Sequence, residues 1–350
     1  DISNTCYQGA LFVTRLLIAT TNFSKDFLAK SQPGDFLFTG GRTAADFAVE
    51  VIAPEDSKLV VLLLRLRLIK FVKLYQQWEM LRQGIAWRPE QEPDEIHCWG
   101  ILGGITGALA KSSGKVGAKL VLYVDKHEID RHSSRKWRSI TRWLLKRTDF
   151  VILETPEDRM RVSHLGESGS SLLVGDLLRS MTDVSCLYMH PERLAMLPFC
   201  QGRGIDVGCG SSKTHPDAIG VDLVAGGEVG VVASGMSPLS QADVCASGDN
   251  LPMFDDGSLD YVVARHNIEH YVDVVKTLQE WRRVLRPGGI AALVVPDDAV
   301  SDTLRIDPTH KHAFTRESFV NLVNALGGLK VREIDVCFPG RSFKCIIEKL

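Results

Sequence analysis

Two glycines one residue apart, Gly208 and Gly210, stand in the stretch 202–223, GRGIDVGCGSSKTHPDAIGVDL, between a short apolar segment containing Asp206 and a second one that ends at Asp222. Glycine lacks a Cβ, so such a turn reaches backbone angles closed to other residues and lets a ligand lie against the main chain at the carboxyl end of a strand. An aspartate ending the next strand can accept both ribose hydroxyls of an adenosine, which makes Asp222 the leading candidate for that role. Asp206, just ahead of the turn, would hold the loop or meet an amino group on the ligand, and Cys209 lies between the two glycines. Three residues past Gly210 stands Lys213, so the pattern is Gly-x-Gly and not Gly-x-Gly-x-x-Gly. A dinucleotide sets its pyrophosphate on a closely packed helix amino terminus, and a lysine at the third position disfavours that packing. The turn suits a ligand without phosphates.

Histidines supply the second set of candidates. His266, Asn267 and His270 fall in YVVARHNIEH (261–270), behind an apolar segment that reads as a strand, and His310 and His312 fall in DPTHKH (307–312). With an unperturbed pKa of about 6.5, an imidazole can take a hydroxyl proton, so His266 and His270 are candidate bases; each could equally be a packed ring capping a helix. His310 and His312, one residue apart, could ligate a metal, but spacing offers no third ligand and no metal is expected.

The glycine turn and three later blocks, DVCASGDNLPMFDDGSLD (243–260), YVVARHNIEH and WRRVLRPGGIAALVVPDD (281–298), occur in an order that resembles the class I S-adenosylmethionine-dependent methyltransferases. That resemblance implies a Rossmann-like α/β sheet with an antiparallel final strand, S-adenosylmethionine as cofactor, and a cleft lined by Asp206, Gly208, Cys209, Gly210, Asp222, His266 and Asn267. The family places an acid four residues before the Leu of a Leu-Pro pair, against the adenine; here that position is Ser247, so the backbone near Ser247 and Gly248 is expected to hold the base. The segment DPTHKHAFTRESF resembles a stretch of methyltransferases from bacterial surface-polysaccharide and glycolipid clusters, which makes His310 and His312 candidates for the substrate side of the cleft.

These residues need a scaffold, and 350 residues suggest two domains. Composition is that of an ordinary soluble globular protein, 45% hydrophobic and 24% charged. The net charge of −2 hides an asymmetry: residues 111–147 carry eleven Lys and Arg against three Asp and Glu, whereas 201–300 carry seven against fourteen. The basic stretch reads as a solvated face, or as an attraction for a phosphate-rich acceptor or a membrane surface. No nucleic acid is expected, since no binding module accompanies it. Eight scattered cysteines show no Cys-x-x-Cys, which suggests reduced thiols in a cytoplasmic enzyme. The first residue is Asp, so the amino terminus is expected to have been trimmed; what remains has no signal-peptide pattern.

In chain order, 10–20 and 34–39 read as strands and 42–51 as a helix. The run 59–74, LVVLLLRLRLIKFVKL, is too charged to span a membrane and reads as a core element leading into a helix, or as an interfacial helix. Strands at 95–99, 119–124, 150–153 and 171–174 alternate with helices at 100–111, 134–147 and from 155 to Gly166, which predicts a second parallel α/β Rossmann-like lobe. Its segments 95–130 and 142–166 resemble the amino-terminal lobe of two-lobed glycosyltransferases, which mainly holds the acceptor. The expected organisation is a glycosyltransferase-like lobe over 1–184, a linker over 185–200 and a methyltransferase domain over 201–350, with strands at 258–263 and 290–295, a helix at 273–285 ended by Arg286-Pro287-Gly288-Gly289, and a closing antiparallel pair at 329–338 and 341–349. The expected reaction is O-methylation of a sugar on a surface glycan or lipid-linked saccharide, in the cytoplasm or at the inner membrane face. Methylation of a small metabolite, or a non-catalytic scaffold for glycan assembly, are the alternatives.

Overall fold

The structure is a computed structural model that describes residues 14–19, 37–38, 47–53, 69–124, 135–165, 170–180, 187–232, 235–237 and 240–350. It falls into two compact units, Asp1–Tyr188 and Met189–Leu350.

In the first unit, strands β1 (Thr14–Ala19), β3 (Phe47–Ile52), β4 (Glu95–Trp99), β5 (Lys119–Tyr123), β6 (Phe150–Leu153) and β7 (Ser170–Leu173) form one parallel sheet in the order β3-β1-β4-β5-β6-β7. A two-residue pair, β2 (Leu37–Phe38) with β8 (Leu187–Tyr188), lies outside it. The chain adds β3 on one side of β1 and β4 to β7 on the other, and this reversal of strand order is the mark of a doubly wound sheet. Helices α1 (Ile69–Ala86), α2 (Gly100–Gly114), α3 (Arg135–Leu145), α4 (Pro156–Leu165) and α5 (Val174–Ser180) alternate with the strands, as expected of parallel connections. The glycines of α2 serve packing: a Cβ on Gly107 would collide with Cys98 Sγ, so only a bare backbone lets this helix approach β4 so closely. On β4 and β5 a buried polar chain links Glu95, His97 and Tyr123 by two contacts of 2.9 Å.

One expectation changes here. Residues 42–51 were expected to be helical, but Phe47–Ile52 is strand; FAVEVI carries aromatic and β-branched residues that suit a pleated surface. The apolar run 59–74 lies outside the described residues up to position 68, and continues as α1 from Ile69. Gly166 also lies outside them; α4 ends at Leu165.

The second unit opens with α6 (Pro191–Met196) and a short 3-10 turn, Leu197–Phe199. Residues 185–200 were expected to be a linker, yet from Met189 on the chain belongs to this unit: Met196 is fully buried, and Glu192 is tied into the end of the sheet. Strands β9 (Gly204–Val207), β10 (Ile219–Asp222), β13 (Val244–Cys245), β14 (Leu259–Arg265), β15 (Leu285–Pro296), β16 (Leu329–Phe338) and β17 (Ser342–Lys349) form a sheet ordered β13-β10-β9-β14-β15-β17-β16. A hairpin, β11 (Gly230–Val232) with β12 (Gly235–Ser237), stands apart. Only β17 runs against its neighbours β15 and β16, which is the antiparallel strand the sequence led us to expect.

Both faces of this sheet are covered. Along β14, Tyr261 and Val263 pack on one side and Val262 and Ala264 on the other; β15 divides Ala292 and Val294 from Ala291, Leu293 and Val295 in the same way. Strands buried on both faces read as continuous apolar runs, as these do. Helix α7 (Val274–Val284) lays Val274, Leu278, Trp281 and Val284 on one side, the spacing of an amphipathic helix. Its N-cap, Asp273, accepts from the Lys276 amide at 2.9 Å. After the short turn of helix α8 (Thr303–Ile306), helix α9 (Arg316–Leu326) contributes Phe319 and Val323 to the same core and starts in a Thr315–Ser318 capping box. The Arg-Pro-Gly-Gly segment was expected to follow the helix as a stop, but it lies inside β15. Leu285 pairs with Leu259 and Ile290 with Tyr261, so the intervening residues bulge out of the ladder.

Candidate active site

The carboxyl ends of β9, β10 and β14 gather the residues singled out above. Gly208 and Gly210 follow β9 with φ of +69° and +53°, the left-handed region that favours glycine. A side chain on Gly208 would strike the Asn267 amide group, whereas a Cβ on Gly210 would meet nothing within 4 Å. The space beside Gly210 is therefore open.

The turn's own amides are occupied. Gly208 N and Cys209 N donate to the Val221 carbonyl at 2.8 and 3.4 Å, and Gly210 N donates to Asp222 Oδ2 at 2.9 Å. A ligand would thus meet a surface without side chains, not free N–H donors.

Asp222 is turned toward that surface. Its second oxygen, Oδ1, accepts from Val224 N at 3.0 Å, so each oxygen carries one backbone bond and retains a lone pair. Asp206 is 1% exposed, and its Oδ2 accepts from Thr214 N at 2.5 Å; burial pushes its carboxyl above the usual range. Of its two foreseen roles, holding the loop is the one made by its contacts. Arg193 and Arg265 join it: Arg193 Nε donates to the Thr214 carbonyl at 3.0 Å, and Arg265 donates to the Ser212 carbonyl at 2.5 Å. Cys209 is buried between the glycines, and burial pushes its thiol well up, which leaves it a packing residue and not a nucleophile.

At the end of β13, Ser247 Oγ donates to Asp249 Oδ1 at 2.6 Å, and the Gly248 carbonyl accepts from Trp281 Nε1 at 2.8 Å. Helix α7 thus fixes the loop that was expected to hold the adenine.

His266 follows β14 with φ of +49°, an uncommon conformation for a residue with a side chain. Its amide still donates to Val294 in the ladder, at 3.0 Å. Its Nε2 lies 2.9 Å from Glu192 Oε1, which also accepts from Ser342 Oγ at 2.5 Å. For Glu192, burial acts to raise the carboxyl, but the hydrogen bonds from His266 and Ser342 and the charges of His266 and His190 outweigh it and bring it down to about 2. With that carboxylate ionised, Nε2 carries a hydrogen toward it, and in the neutral ring Nδ1 is then the accepting nitrogen.

His270 closes the 3-10 turn Ile268–His270, and the loop 307–312 folds onto that turn: Lys311 N and His312 N donate to the Glu269 carbonyl at 2.8 and 3.3 Å. The two histidine groups, separate in sequence, form one cluster. The rings of His270 and His310 meet edge to face at 4.7 Å, and burial holds both imidazoles below their ordinary range. His312 lies apart from them, with Nε2 at 3.2 Å from the Val272 carbonyl and its ring stacked on Phe314. Reading the sequence missed Glu192, Arg193, Ser342 and Glu269. The first three carry no local signal; Glu269, an acid in an apolar and histidine-rich stretch, did.

The residues present fit a nucleoside ligand: an open side-chain-free cradle at Gly210 lies beside a buried carboxylate with unused lone pairs, and among the described residues no helix begins at this turn to receive a phosphate. Residues 205–293 match a family model described as a methyltransferase domain. Among solved structures, the chain is similar to the YcgJ protein of Bacillus subtilis, at 16% identity over 45% of this chain and 97% of that one, with a TM-score of 0.33. It is also similar to a SAM-dependent methyltransferase of Archaeoglobus fulgidus, at 18% identity over 45% and 92%, TM-score 0.34. A third is the S-adenosylmethionine-dependent methyltransferase of Mesorhizobium loti, at 16% over 46% and 97%, TM-score 0.34. With the family match lying on the strands and turn just described, residues 205–293 form a methyltransferase domain, and the open cradle at Gly210 beside the Asp222 carboxylate fits S-adenosylmethionine as its cofactor.

Proposed function

We propose that this methyltransferase methylates a hydroxyl of a saccharide acceptor, on a surface glycan or its lipid-linked precursor. The cofactor supplies an electrophilic methyl group on a sulfonium. Asp222 and the Gly208–Gly210 turn would hold the nucleoside, and alignment with the acceptor oxygen would provide most of the rate. His266 Nδ1, oriented by the Glu192 contact on the opposite nitrogen, is the group available to take the hydroxyl proton.

The observation that carries the acceptor assignment is the docking of 307–312 on the turn after β14. That loop is the segment whose sequence resembles the surface-polysaccharide methyltransferases, and its contacts bring His310 beside His270, next to the residues that follow the glycine turn's neighbouring strand. The basic helix α3 of the first unit adds support for an anionic carrier. It exposes Ile140 and Trp143, with the Arg147 guanidinium 4.4 Å over the Trp143 ring, a combination suited to a lipid headgroup surface. Among the described residues no helix is long and apolar enough to cross a membrane.

The test is transfer of isotope-labelled methyl from S-adenosylmethionine into a lipid-linked saccharide fraction, with soluble phenols and carboxylic acids in parallel, read by mass spectrometry. Label in saccharide hydroxyls supports the assignment. Label confined to the phenols or acids means a small-metabolite enzyme, and no label with normal cofactor binding removes the saccharide reading.

A further inference from the structure

Glu269 is 1% exposed, and neither of its carboxylate oxygens has a hydrogen-bond partner. Folded proteins seldom leave a buried carboxylate in that condition, because its lost hydration is not replaced. Three imidazoles surround one of those oxygens without bonding it. From Glu269 Oε1, His266 Nδ1 lies at 3.8 Å, His270 Nε2 at 3.9 Å and His310 Nε2 at 3.8 Å. These separations exceed a hydrogen bond. They come close to the spacing of donor atoms that share an ion, since ligands at about 2.0–2.1 Å from a tetrahedral centre lie roughly 3.3 Å apart. One oxygen of Glu269 and one nitrogen each of His270 and His310 all fall within 4.8 Å of one another, so small side-chain rotations close the set.

The surroundings support the same reading. Metal-binding imidazoles usually have the other ring nitrogen fixed by a polar partner. His270 Nδ1 meets the Thr309 hydroxyl at 3.3 Å, and that hydroxyl donates to Asp307 Oδ1 at 2.5 Å. Asp307 Oδ2 in turn lies 3.7 Å from His310 Nε2.

We propose that Glu269, His270 and His310 bind a divalent first-row transition cation, of the Zn2+ or Mn2+ type, in a three-ligand site with a position left for water or another oxygen donor. Two imidazoles and one carboxylate suit such ions better than Mg2+ or Ca2+, which prefer all-oxygen sets. Sequence spacing pointed away from a metal because His310 and His312 lacked a third ligand. The fold supplies Glu269 and His270 from the turn after β14, and His312 takes no part.

The test needs no acceptor and no methyl transfer, so it stands or falls independently of the proposed function. Full-length protein, stripped with a chelator and dialysed, is titrated calorimetrically with Zn2+, and with Mn2+ followed by electron paramagnetic resonance; Mg2+ and Ca2+ are run as comparisons. One equivalent of Zn2+ or Mn2+ should bind with a Kd of micromolar or below, and Glu269→Gln and His310→Gln should each weaken it about a hundredfold. Thermal melts confirm that both variants remain folded, and His164→Gln, at an exposed histidine of the first unit, should bind as the wild type does. Absence of a stoichiometric site in the wild type overturns the proposal. So does unchanged affinity in folded Glu269→Gln, or affinity lost in His164→Gln.

Discussion

Replacing Gly210 by alanine separates cofactor binding from folding, because the structure sets the two effects at different sizes. The backbone there sits at φ of +53°, and an added Cβ would find no protein atom within 4 Å. The folding cost is therefore conformational only. A non-glycine residue in the left-handed region loses about 1–2 kcal/mol, of which alanine recovers about 0.4–1 kcal/mol by restricting the unfolded chain. A net loss of about 1 kcal/mol lowers Tm by roughly 2–4 °C in a unit of this size. Gly257, at φ of +67° and with 3.8 Å between an added Cβ and its nearest neighbour, offers a matched comparison at the opposite, amino end of β14. Its alanine variant should lose about the same Tm. Binding should differ. If the cofactor lies against the bare turn, a methyl group at 210 overpacks the cradle by about 1–3 kcal/mol, or roughly tenfold to a hundredfold in Kd, while Gly257→Ala leaves Kd unchanged. Calorimetric titration with S-adenosylmethionine and thermal melts on the same samples give both numbers. A Gly210→Ala protein that melts a few degrees low but binds the cofactor as tightly as the wild type would refute the assignment of that space.

Glu192 should make the second unit sensitive to acid. Its carboxyl falls from the ordinary 4.5 to about 2 on folding, so its stabilisation is fully present above about pH 4.5 and is lost as pH falls toward 2. The shift corresponds to about 3 kcal/mol. Glu192→Gln should therefore be less stable than the wild type at pH 7, with the gap narrowing below pH 4 in urea titrations; a gap independent of pH would contradict this account. Trp281→Phe keeps an aromatic ring in the core but removes the donor to the Gly248 carbonyl. It should lose about 1–2 kcal/mol in urea unfolding, and S-adenosylmethionine should bind more weakly because the loop after β13 is released. A Trp281→Phe protein with wild-type stability would show that the indole contact carries no weight.

Much of the scaffold could be read because its signals are local. The β9 turn declares itself through glycines that few other residues could replace, β14 through a continuous apolar run, and α7 through a period of 3.6. Errors arose where local preference and tertiary setting diverge. FAVEVI at β3 joins a sheet through partners far along the chain, and Pro287-Gly288, a stop signal by itself, becomes a bulge once β15 pairs with β14. The same division holds in the site. Asp222, His266 and Asn267 lie at the ends of their strands and could be named from the sequence; Glu192 reaches His266 across 74 positions, and nothing in Pro-Glu-Arg marks it as a partner. Glu269 stood out locally as an acid in an apolar, histidine-rich stretch, but its burial without a partner is seen only when its neighbours are in place.

The bond between Glu192 and Ser342 spans 150 positions and fastens the first helix of the unit to its last strand. Residues 205–293, the span matched to the methyltransferase domain, contain neither end of that clasp, nor β16 or β17. Cutting at those limits would unmoor His266 and bare the apolar edge of β15, so a piece excised for study must reach back past α6 and forward through β17. In this protein the boundaries of kinship and the boundaries of cooperative structure do not coincide.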